Sequence, residues 1–194
     1  PHRHTLRGPA RAVIADDARY TFARPAWTLV ARNAHFAMPD ADRFAATAAV
    51  LAELLEGAPG VARVWYPARQ SHPQHAVAVR QLAGGGGMLA VELAGGVVAG
   101  RAFIDALRIP ERTASLGSIH TIVVHPPSTT HRQLTPAQLA DAGIAPGLLR
   151  VSVGLEDAAD LRADFEGALA AARAAVDANA VAARAAIETS PATA

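Results

Sequence analysis

From Asp40 onward, glycine and proline cut the chain into short segments whose apolar periods alternate between helix and strand. Asp40 to Glu56 reads as a helix, with Asp40 as N-cap and Phe44, Ala48, Leu51 and Leu55 on one face. Gly57-Ala58-Pro59-Gly60 breaks it, and Val61 to Tyr66 follows as a β-rich run closed by Pro67. Ser71 to Leu82 reads as a second helix, capped by Ser71 with Pro73 in its first turn. Gly84 to Gly87 leads into a strand, Met88 to Leu93; Gly95-Gly96 ends it, and Val97 to Leu107 is helical. Strands are expected near Arg112–Ala114 and Thr121–Val124, then a turn at Pro126-Pro127. A short helix opened by Thr135-Pro136 and a strand from Leu149 to Val153 come next. Glu156 and Asp157 begin a long helix in which Leu161, Phe165, Leu169 and Ala172 recur, its acidic start suiting the helix dipole. Past Ala171 it is mostly alanine and arginine, and is expected to project or pack lightly. Short strands alternating with helices imply an α+β (α/β layered) fold, with helices covering a small sheet.

Composition narrows the function. Hydrophobic residues make up 51% of the 194 and charges 18%, enough apolar matter for a packed core. A net charge of +1 gives no electrostatic argument for a nucleic-acid or membrane partner. There is no cysteine, which removes disulfides, thiolate catalysis and Cys-type zinc sites. No apolar run reaches membrane-spanning length, and Pro1-His-Arg-His lacks a signal peptide's apolar stretch, so a cytoplasmic location is the default expectation. The first residue is a proline rather than a methionine, which fits a fragment or a processed product. Every one of the 18 basic residues is an arginine. With no lysine, the chain can form no Schiff base of its own.

Arg150 is the foremost candidate site residue. It stands in a predicted strand among Leu148, Leu149, Val151 and Val153. An arginine there either reaches solvent at the sheet's end, the ordinary case, or is held against an anion, for which its planar fork is suited. Ser115 opens Ser-Leu-Gly, where a serine is ordinarily a turn or cap residue. Ser128-Thr129-Thr130-His131 follows a double proline. Its hydroxyls are expected to cap a turn and His131 to bond to backbone. His72 and His75 have a spacing at which two helical side chains can share a metal, but no third ligand is evident and no metal is expected. The glycine run lacks the Gly-Lys-Ser/Thr of a phosphate loop, and no Gly-x-Ser-x-Gly elbow is present.

The run Ser115-Leu-Gly-Ser-Ile-His through His125-Pro-Pro-Ser-Thr-Thr-His-Arg-Gln-Leu134, followed by Leu148-Leu-Arg-Val-Ser-Val-Gly-Leu-Glu-Asp157, resembles the C-terminal domain of the Cys/Met-metabolism (transsulfuration) enzymes. Trp65-Tyr66-Pro67 through Ser71-His-Pro-Gln-His75 and Gly84 to Leu93 extend the likeness, which is close from about Arg43 to Ala170. Within the family the Ser-Thr-Thr-His form is most similar to O-acetylhomoserine sulfhydrylases. The resemblance implies the small C-terminal domain of a fold-type I pyridoxal enzyme, with a small, mostly antiparallel sheet. It implies pyridoxal 5'-phosphate as cofactor and an amino-acid substrate whose α-carboxylate is gripped by Arg150, with Ser115 beside it. It also implies methionine or cysteine biosynthesis, with acetate on O-acetylhomoserine replaced by sulfide or a thiol.

Where family members continue Ser-Leu-Gly with a second glycine, Ser118 stands here. The resemblance divides the chain into an unmatched arm (1–26), the transsulfuration-type domain (27–170) and an alanine-rich extension and tail (171–194). It also implies a lysine-bearing partner domain or subunit and a homo-oligomer. This chain alone is expected to be inactive. A cystathionine γ-synthase or γ-lyase fragment, and a non-catalytic binding or interaction domain, stay open as alternatives.

Overall fold

The computed structural model describes residues 41–188. The expected Asp40 cap, the arm over 1–26 and the tail after Thr189 lie outside that range. Helix α1 (Ala41–Leu55) leads to β1 (Val61–Trp65), a short helix α2 (His75–Gln81), β2 (Met88–Leu93) and α3 (Gly96–Ala106). Then come β3 (Ile122–Val124), a 3-10 turn (Pro126–Ser128), α4 (Pro136–Asp141), β4 (Leu148–Ser152) and the long helix α5 (Ala158–Glu188). The four strands form one sheet in the order β1-β2-β4-β3, with every strand pairing antiparallel. Both the layered α+β class and the antiparallel sheet are as expected.

Alternation along the strands sorts side chains between two faces. Leu89, Val91 and Leu93 of β2, with Leu149 and Val151 of β4, join the helices α1, α3 and α5 in the main core. Leu51 and Leu55 of α1, Phe103 of α3, and Leu161 and Phe165 of α5 are all fully buried there. The Phe103 and Phe165 rings meet edge to face, 5.5 Å apart at 81°, an arrangement the ring quadrupole favours. The opposite face carries a smaller apolar patch of Ala90, Leu148 and Ile144, against which Trp65 and Leu139 pack. Helix α4 sits on this face, its start secured by a reciprocal capping box between Thr135 and Gln138.

Two expectations about secondary structure fail. The second helix starts at His75, not Ser71, because Ser71 donates its hydroxyl to Glu56 instead of capping, and the intervening residues form turns. Glu56 also pairs with Arg69; the Ser71 hydrogen bond contributes most to holding its carboxyl below the usual range, with Arg69 assisting and burial opposing. The strand expected at Arg112–Ala114 does not form. Only Glu111 bridges to Ile122, and the residues beyond it make a loop that β4 holds by side chains rather than by a ladder. Helix α5 is continuous through Ala171, with Ala172 buried and Val176 partly buried, and it is exposed from Asp177 through Ala185.

Candidate functional site

Arg150 occupies the middle of β4, an interior strand, directly between Ala90 of β2 and Val124 of β3. Its neighbours Leu149 and Val151 face the helices, so period-two alternation turns Arg150 to the other face. It is half-buried, and among the described residues no carboxylate pairs with it. Its Nη2 donates to the carbonyl of Ser115 at 2.7 Å and to that of Ala114 at 3.3 Å. Its Nε is buried with no hydrogen-bond partner. Burial lowers the pKa from the ordinary arginine value, yet a guanidinium stays protonated at any physiological pH. The sum is a desolvated cation with an unused donor, an arrangement that favours an incoming carboxylate or other anion.

Ser115 and Arg150 are therefore brought together, through the Ser115 backbone carbonyl; the Ser115 residue itself is exposed. Ser115 lies on a loop that leaves α3 under restraint. The amides of Arg108 and Ile109 both donate to the Asp164 carboxylate on α5. The neck of the loop closes where Glu111 N donates to Thr121 O at 2.8 Å and Val123 N donates to Glu111 O at 2.9 Å. Inside the loop, Gly117 N donates to Ser152 Oγ at 3.0 Å.

The hydroxyl-rich turn after β3 is structural. His125 is fully buried, with Nδ1 2.8 Å from Ser128 Oγ and Nε2 2.8 Å from the Pro146 carbonyl. The carbonyl can only accept, so Nε2 carries the proton and Nδ1 accepts from Ser128. Burial is the largest influence on His125 and holds its pKa below the usual histidine value, with Pro146 opposing and Arg101 assisting. Thr129 Oγ1 donates to the His125 carbonyl at 2.7 Å, as expected of a hydroxyl capping a turn. His131 departs from expectation: its ring Nδ1 meets Thr130 Oγ1 at 2.8 Å rather than backbone.

His72 and His75 are each engaged separately. His72 Nδ1 accepts from Gln74 N, and His75 Nδ1 lies 2.9 Å from the Pro67 carbonyl. Among the described residues no group of three or more metal-ligating side chains converges, and no helix is long and apolar enough to cross a membrane.

Sequence reasoning gave no site role to Ser152, Thr121 and Glu156, which hold the loop against β4 and the residues after it. The signal was present: in Arg150-Val-Ser-Val-Gly-Leu-Glu156 every second residue is polar or glycine, and that period assigns one face.

The family described as Cys/Met metabolism PLP-dependent enzyme matches residues 26–170. Over 130 residues the chain is 48% identical to an L-methionine gamma-lyase of Pseudomonas putida, covering 67% of this chain and 33% of that enzyme. Over 126 residues it is 47% identical to an O-succinylhomoserine sulfhydrylase of Pseudomonas aeruginosa, covering 65% of this chain and 31% of that enzyme. Its fold matches the crystal structure of a cystathionine gamma synthase from Xanthomonas oryzae in complex with cystathionine. The TM-score is 0.65 and the identity 42%, covering 70% of this chain and 35% of the other. The chain thus spans about a third of the length of these relatives. By the extent of this match the chain belongs to the Cys/Met-metabolism enzymes, the pyridoxal-phosphate-dependent lyases and transferases of sulfur amino-acid metabolism.

Proposed function

We propose that this chain supplies the substrate-carboxylate-binding part of a transsulfuration enzyme acting on a γ-substituted amino acid such as O-acetylhomoserine. The observation that carries this reading is Arg150, a desolvated guanidinium at the centre of a sheet face with a buried, unpartnered Nε–H and no carboxylate beside it among the described residues. A strand-borne arginine is held rigidly, so it fixes the substrate's orientation as well as its charge. Ser115 lines the same spot, its carbonyl aligning the guanidinium.

The residues fit the carboxylate end of a substrate and do not fit covalent attachment of the cofactor, because the sequence contains no lysine. Pyridoxal phosphate, when bound, supplies the electron withdrawal that loosens bonds near the substrate's α-carbon. This chain's share is to bind and orient. A lysine-bearing domain or subunit is the partner this requires, and the chain alone is inactive. In this reading residues 27–170 are the transsulfuration-type domain, 1–26 an arm, and 171–194 an extension. The protein works in the cytoplasm, within a homo-oligomer, in methionine or cysteine biosynthesis.

The test is spectrophotometric. The purified chain is mixed with pyridoxal phosphate, O-acetylhomoserine and sulfide, alone and with a lysine-bearing partner chain. Turnover only with the partner supports the proposal. Stoichiometric cofactor absorbance in the chain alone, surviving removal of free cofactor, overturns it. A γ-lyase is the second reading, favoured by the 48% identity to a methionine gamma-lyase; thiol release from methionine without added sulfide selects it.

A further inference from the structure

We infer that Glu156 is a positioning residue: its carboxylate clamps Thr121 at the neck of the 111–121 loop and thereby sets the Ser115 carbonyl against Arg150. The inference rests on the carboxylate-binding reading of Arg150 for its functional consequence, but not for its structural content.

Strand β4 and the residues after it hold the loop at every second position. Arg150 donates to the carbonyls of Ala114 and Ser115, and Ser152 Oγ accepts from Gly117 N. Gly154 N donates to Thr121 Oγ1 at 2.9 Å, and Glu156 takes Thr121 with both oxygens. Oε1 accepts from the Thr121 amide and Oε2 from the Thr121 hydroxyl, each at 2.7 Å. Between these anchors Leu155 N donates to Ile119 O at 2.7 Å.

Thr121 is fully buried. Its amide, hydroxyl and carbonyl are all used: the carbonyl accepts from Glu111 N, which closes the loop's neck. A buried donor left unmade is costly, so the carboxylate fixes where the neck can sit. Space enforces the same geometry. A β-carbon on Gly154 would fall on the Glu156 carboxylate, the Ile119 carbonyl and the Thr121 amide. Only a glycine lets the loop lie this close.

Glu156 is fixed from the other side by helix α5. The next residue, Asp157, caps that helix, its Oδ1 accepting from Ala159 N and Asp160 N. Four residues on, Leu161 is fully buried in the main core. The position of the anchored helix is thus passed to the neck of the loop, and through the loop to the cation. Of the two acidic residues expected to serve the start of α5, Asp157 caps it, while Glu156 turns to Thr121.

Hydrogen-bond chemistry distinguishes clamping from charge. Glutamine can still accept from the Thr121 amide with its one oxygen, but its NH2 can only donate to the hydroxyl's second lone pair, which leaves the Thr121 hydroxyl proton without an acceptor. Alanine can do neither. The experiment compares the full chain with Glu156→Ala and Glu156→Gln by NMR. It reads amide exchange at Gly117 and Leu155, the Arg150 Nε resonance, and the response to L-norleucine, a non-reacting amino acid. Glu156→Ala should speed exchange at Gly117 and Leu155 at least tenfold, move the Arg150 Nε signal, and leave Leu149 and Val91 protected. Glu156→Gln, which keeps the amide bond and loses the hydroxyl bond, should fall between the parent and Glu156→Ala.

Unchanged Gly117 exchange and an unmoved Arg150 signal in Glu156→Ala would overturn the inference. So would equal loss of protection at Leu149 and Val91, which would mark a merely global effect. Exchange in Glu156→Gln as fast as in Glu156→Ala would also overturn it, assigning the effect to charge. L-norleucine tests the underlying reading separately: a parent chain with no response, or an equal response in Arg150→Ala, defeats carboxylate binding while the exchange data still decide the clamp.

Discussion

The two faces of the sheet are made by neighbouring residues of the same strands, yet they obey different rules. On the helix side, Leu149 and Val151 meet Phe103, Leu161 and Phe165 in a dry apolar layer. On the other side, Arg150 and Ser152 meet the carbonyls and amides of a loop. The first face is held by burial, which is strong and non-directional. Around Arg150 and Ser152 the second is held by hydrogen bonds, which are weaker in net energy but fix atoms in place, beside the small apolar patch of Ala90, Ile144 and Leu148. The difference teaches that core packing and the placing of polar groups are separable here at single-residue resolution along β4.

That separation can be broken by mutation. Phe165→Ala should produce the largest effect, roughly 3–5 kcal/mol of lost stability by chemical denaturation, from lost transfer energy and the cavity left behind. Arg150→Ala should do the opposite. Stability should change little, while carboxylate binding in a reconstituted enzyme weakens by roughly 2–5 kcal/mol if the charge pair is buried. Unchanged substrate affinity would make the second face structural only.

Gly100→Ala probes a point where the layers touch. An added β-carbon would strike the His125 ring, so a loss of about 1–3 kcal/mol is expected, read as a lowered thermal midpoint. His125 itself sharpens the comparison through pH. Its folded-state pKa is depressed, so its contribution to stability is present above the unfolded histidine value of about 6.5. That contribution is lost as pH falls, because the unfolded chain takes up the proton more readily. Stability measured from pH 8 downward should decline below that value, and less so in a His125→Gln variant. The smallest effect belongs to Val181→Ala on the exposed part of α5, within about 0.5 kcal/mol of the parent.

Much of the helix-covered face was legible because burial writes a period into the sequence. Leu51 and Leu55, Leu89, Val91 and Leu93, and Leu161, Phe165 and Leu169 all sit in the core, within the elements their spacing marked. The polar face was less legible because its partners are distant in the chain. Nothing local tells Ser71 to bond Glu56, fifteen residues away, rather than cap its own helix. The segment Arg112–Ala114 carries no apolar alternation strong enough to pair, and its place is set by Arg150 from thirty-odd residues further on. Arg150 illustrates the boundary between the two. Its apolar neighbours marked a strand, but only the strand order shows that the strand is interior, which puts Arg150 in the middle of the sheet rather than at its end.

The pairing of Ala90, Arg150 and Val124 across three strands also governs which insertions β4 can survive. One extra residue after Leu148 would exchange the faces, driving the guanidinium in among Phe103 and Phe165 and turning the valines toward the loop. Two extra residues would restore the parity of the faces. They would also carry the guanidinium about 7 Å along the strand, beyond reach of the Ser115 carbonyl. An odd insertion therefore threatens the fold, whereas an even one spares the fold and parts the guanidinium from the loop it holds, so length variation in this strand is readable as a choice between losing the structure and losing the proposed binding site.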